Sequence, residues 1–291
     1  MLRIRVPIAI AMLAGLFGIL YADFGSRWKV GCHLLFMVIS VLAILEFYKL
    51  ISATGQYKPV RHIGVFACIA LTLGEWATYQ KDLWGQSITF WSINGIIIGL
   101  TIFLLFAYHA RPEAFKDAPG NIMATLFGIM YIWFLGSYLT RIAMLENKHF
   151  ASEDVGIKCL LLTVVVAKFA DVGAYLIGRM IGRTKLSPNI SPNKTVEGAL
   201  AGLLTSIAMA ALLQTQLQIP FLNWTEVTIF GLVIGFTGEL GDLAESLLKR
   251  MCDAKDSASL LPGFGGVLDV IDSLLAAAPV SYVLLLLFSR V

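Results

Sequence analysis

Long apolar runs separated by short polar segments dominate the chain. An α-helix needs about 20 largely apolar residues to cross a bilayer, and nine runs approach or exceed that length. They lie at 6–22, 30–50, 62–79, 88–109, 121–144, 157–181, 196–216, 226–248 and 267–289. Because the runs are continuously apolar and do not alternate, they predict helices rather than strands. The predicted fold class is all-α, a polytopic integral membrane helix bundle with about nine transmembrane helices.

The composition indicates the same class. The chain is 58% hydrophobic and only 14% charged, whereas a soluble domain carries about 25% charged residues. We expect one membrane domain over 1–291, with N-terminal helices in 1–150 and the chemistry in the helices of 157–291. The first run follows two arginines and resembles a signal peptide, but eight further runs favour a first transmembrane helix.

Loop charges predict the orientation of the bundle. With nine spans, one face carries twice as many Lys and Arg residues as the other, and the positive-inside rule assigns that face to the cytoplasm. The N-terminus and the loops at 179–195 and 249–266 share this face. We find no targeting signal, which favours a bacterial inner membrane. No basic run is interleaved with aromatic residues, so nucleic-acid binding is not expected.

Acidic residues interrupt the last two apolar runs. Glu239, Asp242 and Glu245 recur every three residues, and Asp269 and Asp272 open the final run. An ionisable side chain in a membrane must find a partner or meet water. Three carboxylates one turn apart repel each other without a cation, and oxygen ligands favour Mg²⁺ or a similar hard ion. A solvated acidic turn at a helix end is the plain alternative.

Glycine residues accompany these carboxylates. Four of them recur at helical spacing and predict close helix packing: Gly231, Gly235, Gly238 and Gly241. In the loop 251–268, Gly265 and Gly266 precede a helix, where backbone amides can face an anion. A flexible connector is the alternative for this loop.

The segment 168–198 combines cations with hydroxyl groups. Lys168 and Asp171 lie one turn apart inside the sixth run, as a functional or a structural ion pair. The residues that follow include Arg179, Arg183, Lys185, Ser187, Ser191, Lys194 and Thr195. Such groups suit the oxygens of a triphosphate, although a positive-inside loop with proline turns has the same composition. The chain has no Walker A motif.

A long motif connects these segments. It reads Ser246-x-x-Lys249-Arg250-x₄-Lys255-Asp256-Ser257-x₃-Leu261-Pro262-Gly263-x-Gly265-Gly266-x-x-Asp269-x-x-Asp272-Ser273. Upstream stand Asp171-x-Gly-Ala-Tyr175, Ser191-Pro-x-Lys194-Thr195-x-Glu197-Gly198 and Gly241-Asp242-x-x-Glu245-Ser246. Over roughly residues 168–280 the chain closely resembles the phosphatidate cytidylyltransferases, also called CDP-diacylglycerol synthases.

The resemblance implies that CTP and phosphatidate give CDP-diacylglycerol and pyrophosphate. It implies Mg²⁺ held by Asp242 and Asp269, which would meet across the last two helices, and it allows a second cation nearby. The implied catalytic residues are Asp242, Asp269, Lys249, Arg250 and Asp256. The implied substrate-binding residues are Asp171, Tyr175, Ser191, Lys194, Thr195, Glu197, Glu245, Lys255, Gly265, Gly266 and Asp272. A homodimer is kept as a hypothesis.

Two residues depart from the family pattern. Phe264 stands where the family usually has His, and Val270 where it usually has Arg. A lipid phosphate is already an oxyanion near neutral pH, so its attack on CTP does not require a base. The departures leave open another lipid phosphate or lipid alcohol as acceptor, and a catalytically silent relative.

A cation-coupled transporter is the alternative of a different class. Lys168, Asp171 and Glu239 would then form an intramembrane relay. Many transporters have internal repeats with broken helices in both halves. Here the polar residues crowd into the second half of the chain, which favours the enzyme.

Overall fold

The fold is almost entirely helical. A computed structural model describes residues 14–26, 28–80, 90–112, 115–145, 154–258 and 265–289. The helices are α1 (Ala14–Asp23), α2 (Val30–Ala53), α3 (Arg61–Tyr79), α4 (Phe90–His109), α5 (Ala118–Ala143), α6 (Val155–Ile181), α7 (Val196–Leu217), α8 (Trp224–Met251) and α9 (Val267–Ser289). Two strands, β1 (Lys185–Ser187) and β2 (Ser191–Thr195), lie between α6 and α7.

Each predicted apolar run coincides with a helix where the structure describes it. Six of the helices are long and apolar enough to cross a membrane: α2, α5, α6, α7, α8 and α9. Ala14–Asp23 and Ile93–His109 are shorter apolar helices, and α3 is not among the six. The chain is therefore a multi-pass integral membrane protein, but the described residues do not confirm the predicted count of nine spans.

The chain forms two compact units. The first comprises Met1–Ser137 and Cys252–Leu268. In its core the fully buried Tyr48 donates a hydrogen bond from its hydroxyl to Thr125 O at 2.8 Å, which links α2 to α5. The helix α5 is π-helical over Ile129–Phe134.

The second unit comprises Tyr138–Met251 and Asp269–Val291. The predicted close approach of α8 through its glycines is confirmed. A Cβ atom at Gly231 would lie 2.7 Å from Ile207 Cα of α7, and one at Gly241 would lie 2.6 Å from Asp272 O of α9. The two glycines thus allow α8 to pack tightly against both neighbouring helices.

The loop predicted between α6 and α7 contains a short hairpin. Strands β1 and β2 pair antiparallel, with Lys185 opposite Thr195 and Ser187 opposite Ser191. The two prolines of this segment, Pro188 and Pro192, disfavour continuation of the helix. Within the described residues the all-α prediction therefore holds with this one small exception.

Candidate active site

Three carboxylates of the second unit converge. Asp242 and Glu245 of α8 and Asp272 of α9 each place a carboxylate oxygen within 4.8 Å of the other two. Glu245 is completely buried and Asp272 is 7% exposed. The close approach of α8 to α9 at Gly241 brings the three together. Of the predicted acidic residues, these three form a cluster that can bind a cation.

Lysine side chains flank the cluster. Lys194 Nζ of β2 lies 2.8 Å from Asp242 Oδ2. Lys249 Nζ lies 2.5 Å from Glu245 Oε2 and 2.7 Å from Asp269 Oδ1. Each ammonium group thus neutralises part of the negative charge of the carboxylates it contacts.

A third lysine connects α6 to α9. Lys168 Nζ donates to Ser273 Oγ at 2.7 Å and lies 3.4 Å from Asp272 Oδ1. It also lies 3.6 Å from Asp171 Oδ2, as the sequence spacing suggested. The sequence reasoning considered only the pair with Asp171 and missed the contacts with α9. A lysine inside an apolar span must find a partner, but the sequence does not indicate a partner on another helix.

The donor set fits a hard divalent cation. Carboxylate oxygens are the ligands that Mg²⁺ prefers in proteins. Within the described residues, Glu245 Oε1 is buried and has no hydrogen-bond partner, so it is available as a ligand. The sequence-based ligand set was Asp242 with Asp269. In the structure Asp269 is paired with Lys249, and Asp272 joins Asp242 in the cluster.

The hairpin is fixed to α7 by side chains of the predicted motif. Thr195 caps α7 by accepting a hydrogen bond from Gly198 N at 3.1 Å. The Glu197 carboxylate accepts hydrogen bonds from Arg183 N and Thr184 N, both at 3.1 Å. In this arrangement Thr195 and Glu197 position the backbone beside Lys194, and their predicted contact with substrate stays a prediction.

Other predicted residues lie at the surface of the second unit. Tyr175 is 62% exposed, and its hydroxyl accepts a hydrogen bond from Arg179 Nη1 at 3.2 Å. Arg250 Nε donates to Ile190 O at 3.3 Å, which attaches the end of α8 to the hairpin turn. Ser191 is half-buried at the start of β2.

The remaining predicted residues belong to the first unit. Lys255 and Asp256 are exposed in the segment after α8, and Gly265 and Gly266 precede α9. Phe264, one of the two departures from the family pattern, lies outside the described residues. Val270, the other departure, belongs to the second unit and lies half-buried in the first turn of α9.

Glu239 lies one turn from Asp242 on α8 but is not a member of the carboxylate cluster. The residue is 8% exposed, and within the described residues its Oε1 has no hydrogen-bond partner. A Cβ atom at Gly202 of α7 would lie 2.5 Å from this oxygen. Glycine at 202 thus leaves room for the Glu239 side chain one turn away from Asp242.

Comparison with known proteins identifies the family of the chain. The chain matches the model of the cytidylyltransferase family over residues 3–288. It is similar to three bacterial proteins named phosphatidate cytidylyltransferase. That of Bacillus subtilis is 44% identical over 47% of this chain and 51% of its own length. That of Synechocystis is 30% identical over 84% of this chain and 85% of its own length. That of Haemophilus influenzae is 30% identical over 96% of both chains.

The family match covers nearly the whole chain. The chain therefore belongs to the cytidylyltransferase family.

Proposed function

We propose that the protein transfers the cytidylyl group of CTP to phosphatidate and so produces CDP-diacylglycerol and pyrophosphate. The observation that carries this proposal is the cluster of Asp242, Glu245 and Asp272 with lysines on either side, in a chain of this family. Lysine ammonium groups and carboxylates lie at ion-pair distance from each other here. Such an arrangement suits the alignment and screening of two substrates that both carry phosphate groups.

The proposed reaction is a phosphoryl substitution. A phosphate oxygen of phosphatidate forms a bond to the α-phosphorus of CTP. The bond from that phosphorus to the oxygen bridging to the β-phosphate breaks, and pyrophosphate leaves with the electron pair. The attacking oxygen is already an anion, so the protein has to align and screen the reactants rather than remove a proton.

The lysines support the screening role. Lys168, Lys194 and Lys249 all lie within ion-pair distance of the carboxylates. Phosphate oxygens bound beside the cluster would meet ammonium donors, which form strong charge-assisted hydrogen bonds. We assign these lysines to binding and orienting the phosphates of CTP and lipid.

We propose Mg²⁺ as the cofactor, held by Asp242, Glu245 and Asp272. The ion would neutralise phosphate oxygens and so make the α-phosphorus more electrophilic. Asp242 is common to this set and to the pair inferred from the sequence. Asp269 contributes by holding Lys249, which in turn contacts Glu245. A second cation and a homodimer stay hypotheses.

We infer further that nine helices cross a bacterial inner membrane and that the hairpin faces the cytoplasm. The excess of Lys and Arg on that face and the helices at the nine apolar runs support this arrangement. The orientation also suits the chemistry, because CTP is a water-soluble cytosolic nucleotide.

A panel of acceptors tests the proposed function. Purified protein in detergent is given CTP and Mg²⁺ with phosphatidate, an isoprenoid phosphate or diacylglycerol. We expect turnover with phosphatidate and a rate at least about a hundredfold lower with diacylglycerol, because a neutral hydroxyl is a poor nucleophile without a base. Turnover with the isoprenoid phosphate alone would support cytidylyl transfer but contradict phosphatidate as the acceptor.

A further inference from the structure

A buried carboxylate of the N-terminal half is not used by the proposed reaction. Glu46 lies about two turns before the end of the apolar helix α2 and is 4% exposed. An ionisable residue in such a position is costly unless its partners compensate for the loss of water. No motif singled it out, since it is the only acidic residue of its span.

The partners of Glu46 are at the start of α9. Its Oε1 accepts a hydrogen bond from Val267 N at 2.9 Å, and its Oε2 accepts one from Leu268 N at 2.9 Å. Oε2 also accepts a hydrogen bond from Ser257 Oγ at 3.2 Å. The first amides of a helix lack partners within the helix, and a negative charge there is favourable. Glu46 is thus a capping group supplied by a helix more than 200 residues away in the chain.

Glycine at 266 is explained by the same carboxylate. A Cβ atom at this position would collide with Ser257 Oγ and with Glu46 Oε2. The sequence suggested instead that amides after Gly265 and Gly266 face an anion of the substrate. The anion that Val267 N and Leu268 N bind is the protein's own carboxylate, so these two amides are not open to a phosphate.

We propose that Glu46 is a positioning residue of the active site. It holds the first turn of α9, and that helix carries Asp269 and Asp272 in its first two turns. A shift or fraying of this turn would move both carboxylates relative to their partners Lys249 and Lys168. The inference rests on the proposed function, and it adds a residue of α2 to those that determine the geometry of the site.

The variant Glu46→Gln tests the proposal. Glutamine is about the same size as glutamate, but its amide nitrogen is a hydrogen-bond donor. That nitrogen would face the backbone N–H of Val267 or Leu268, which is also a donor. We expect kcat to fall about 10- to 100-fold, as for residues that orient metal ligands, with KM for CTP changed less. Hydrogen exchange of the peptide 265–272 should become faster than in the wild type.

Asp23→Asn is the matched control. Asp23 is equally buried and caps α2 in the same way, by accepting hydrogen bonds from Gly31 N at 3.0 Å and Cys32 N at 2.6 Å. Glu46 lies about four helical turns from the amides that Asp23 caps, so this variant should lose thermal stability but keep kcat within about twofold. If Glu46→Gln does not accumulate, Glu46→Asp, which keeps the charge and shortens the reach, is measured instead.

Two results would overturn the proposal. One is unchanged exchange of the peptide 265–272 in the Glu46 variant, and the other is a fall in kcat equal to that of Asp23→Asn. A wild-type protein that turns over no CTP would contradict the proposed function instead. Hydrogen exchange would then still decide whether Glu46 holds the start of α9.

Discussion

Lys249 illustrates how single residues hold the site together. Its ammonium group lies between a completely buried carboxylate, Glu245, and the carboxylate of Asp269. The lysine side chain itself is only 14% exposed. Without the ammonium group the two carboxylates would face each other in a region of low dielectric, where like charges repel strongly.

We therefore expect Lys249→Met to destabilise the protein by about 3 kcal/mol, because removal of one partner leaves a buried charge uncompensated. Thermal unfolding in detergent measures this loss of stability. The double variant Lys249→Met, Glu245→Gln should regain part of the lost stability, since both charges are then removed. A double variant less stable than the single one would contradict the pairing.

A second prediction at this scale separates the two sets of metal ligands. Replacing Asp272 with Asn removes a member of the carboxylate cluster, whereas replacing Asp269 with Asn removes a partner of Lys249. We expect Asp272→Asn to weaken Mn²⁺ binding, followed by electron paramagnetic resonance, about tenfold more than Asp269→Asn does. The reverse order would favour the ligand pair inferred from the sequence.

At the scale of secondary-structure elements, glycines determine how closely the helices of the second unit pack. Gly231 lies against Ile207 and Ser206 of α7, and Ser206 Oγ donates a hydrogen bond to Gly231 O at 2.7 Å. A direct bond from a side chain to a helix carbonyl requires the two backbones to be close. This contact supports the position of α8 and therefore of its carboxylates.

The variant Gly231→Ala tests this packing. The added methyl group would lie 2.7 Å from Ile207 Cα, and such overpacking costs about 1–3 kcal/mol. Gly99→Ala in α4 is the matched control, because a Cβ atom there meets no atom within 4 Å. Thermal unfolding should show a loss for the first variant and none for the second. Equal midpoints would mean that α7 and α8 can separate without cost.

The elements were largely predictable from the sequence, but their contacts were only partly so. Apolar runs and glycine spacing are local signals, and both agree with the helices and with the close approach of α8 to its neighbours. The pairing of Lys168 with Asp272 joins residues 104 apart, and no local pattern specifies it. The capping of α9 by Glu46 was missed for the same reason.

The composition of the carboxylate cluster was harder to predict than the positions of the helices. Spacing along one helix grouped Asp242 and Glu245 with Glu239, and the first two lie together in the cluster whereas Glu239 does not. It could not decide which of Asp269 and Asp272 would join them, because both stand in the first two turns of α9. The choice depends on the rotation of α9 against α8, which is a property of side-chain packing.

At the scale of the whole molecule, the distribution of charge predicts that the hairpin lies in the cytoplasm. Lys185 of the hairpin and Thr225 of α8 are both exposed, and one apolar helix, α7, separates them. The four native cysteines are buried and should label slowly. Cysteines introduced at these two positions would therefore lie beyond opposite ends of α7.

In intact cells we expect Thr225→Cys to react with a membrane-impermeant maleimide and Lys185→Cys to react only after permeabilisation. The two sites are exposed, so the difference reports the side of the membrane rather than accessibility. Labelling of Lys185→Cys in intact cells would contradict the predicted orientation.

The position of the label transferred from CTP tests the central claim most directly. Purified protein is incubated with phosphatidate, Mg²⁺ and CTP labelled at either the α- or the γ-phosphorus. We predict that the α-label enters the lipid and the γ-label appears in pyrophosphate in equal amount, and that Asp242→Asn abolishes both. Transfer of the γ-label to lipid, or no transfer by the folded wild-type protein, would contradict the account.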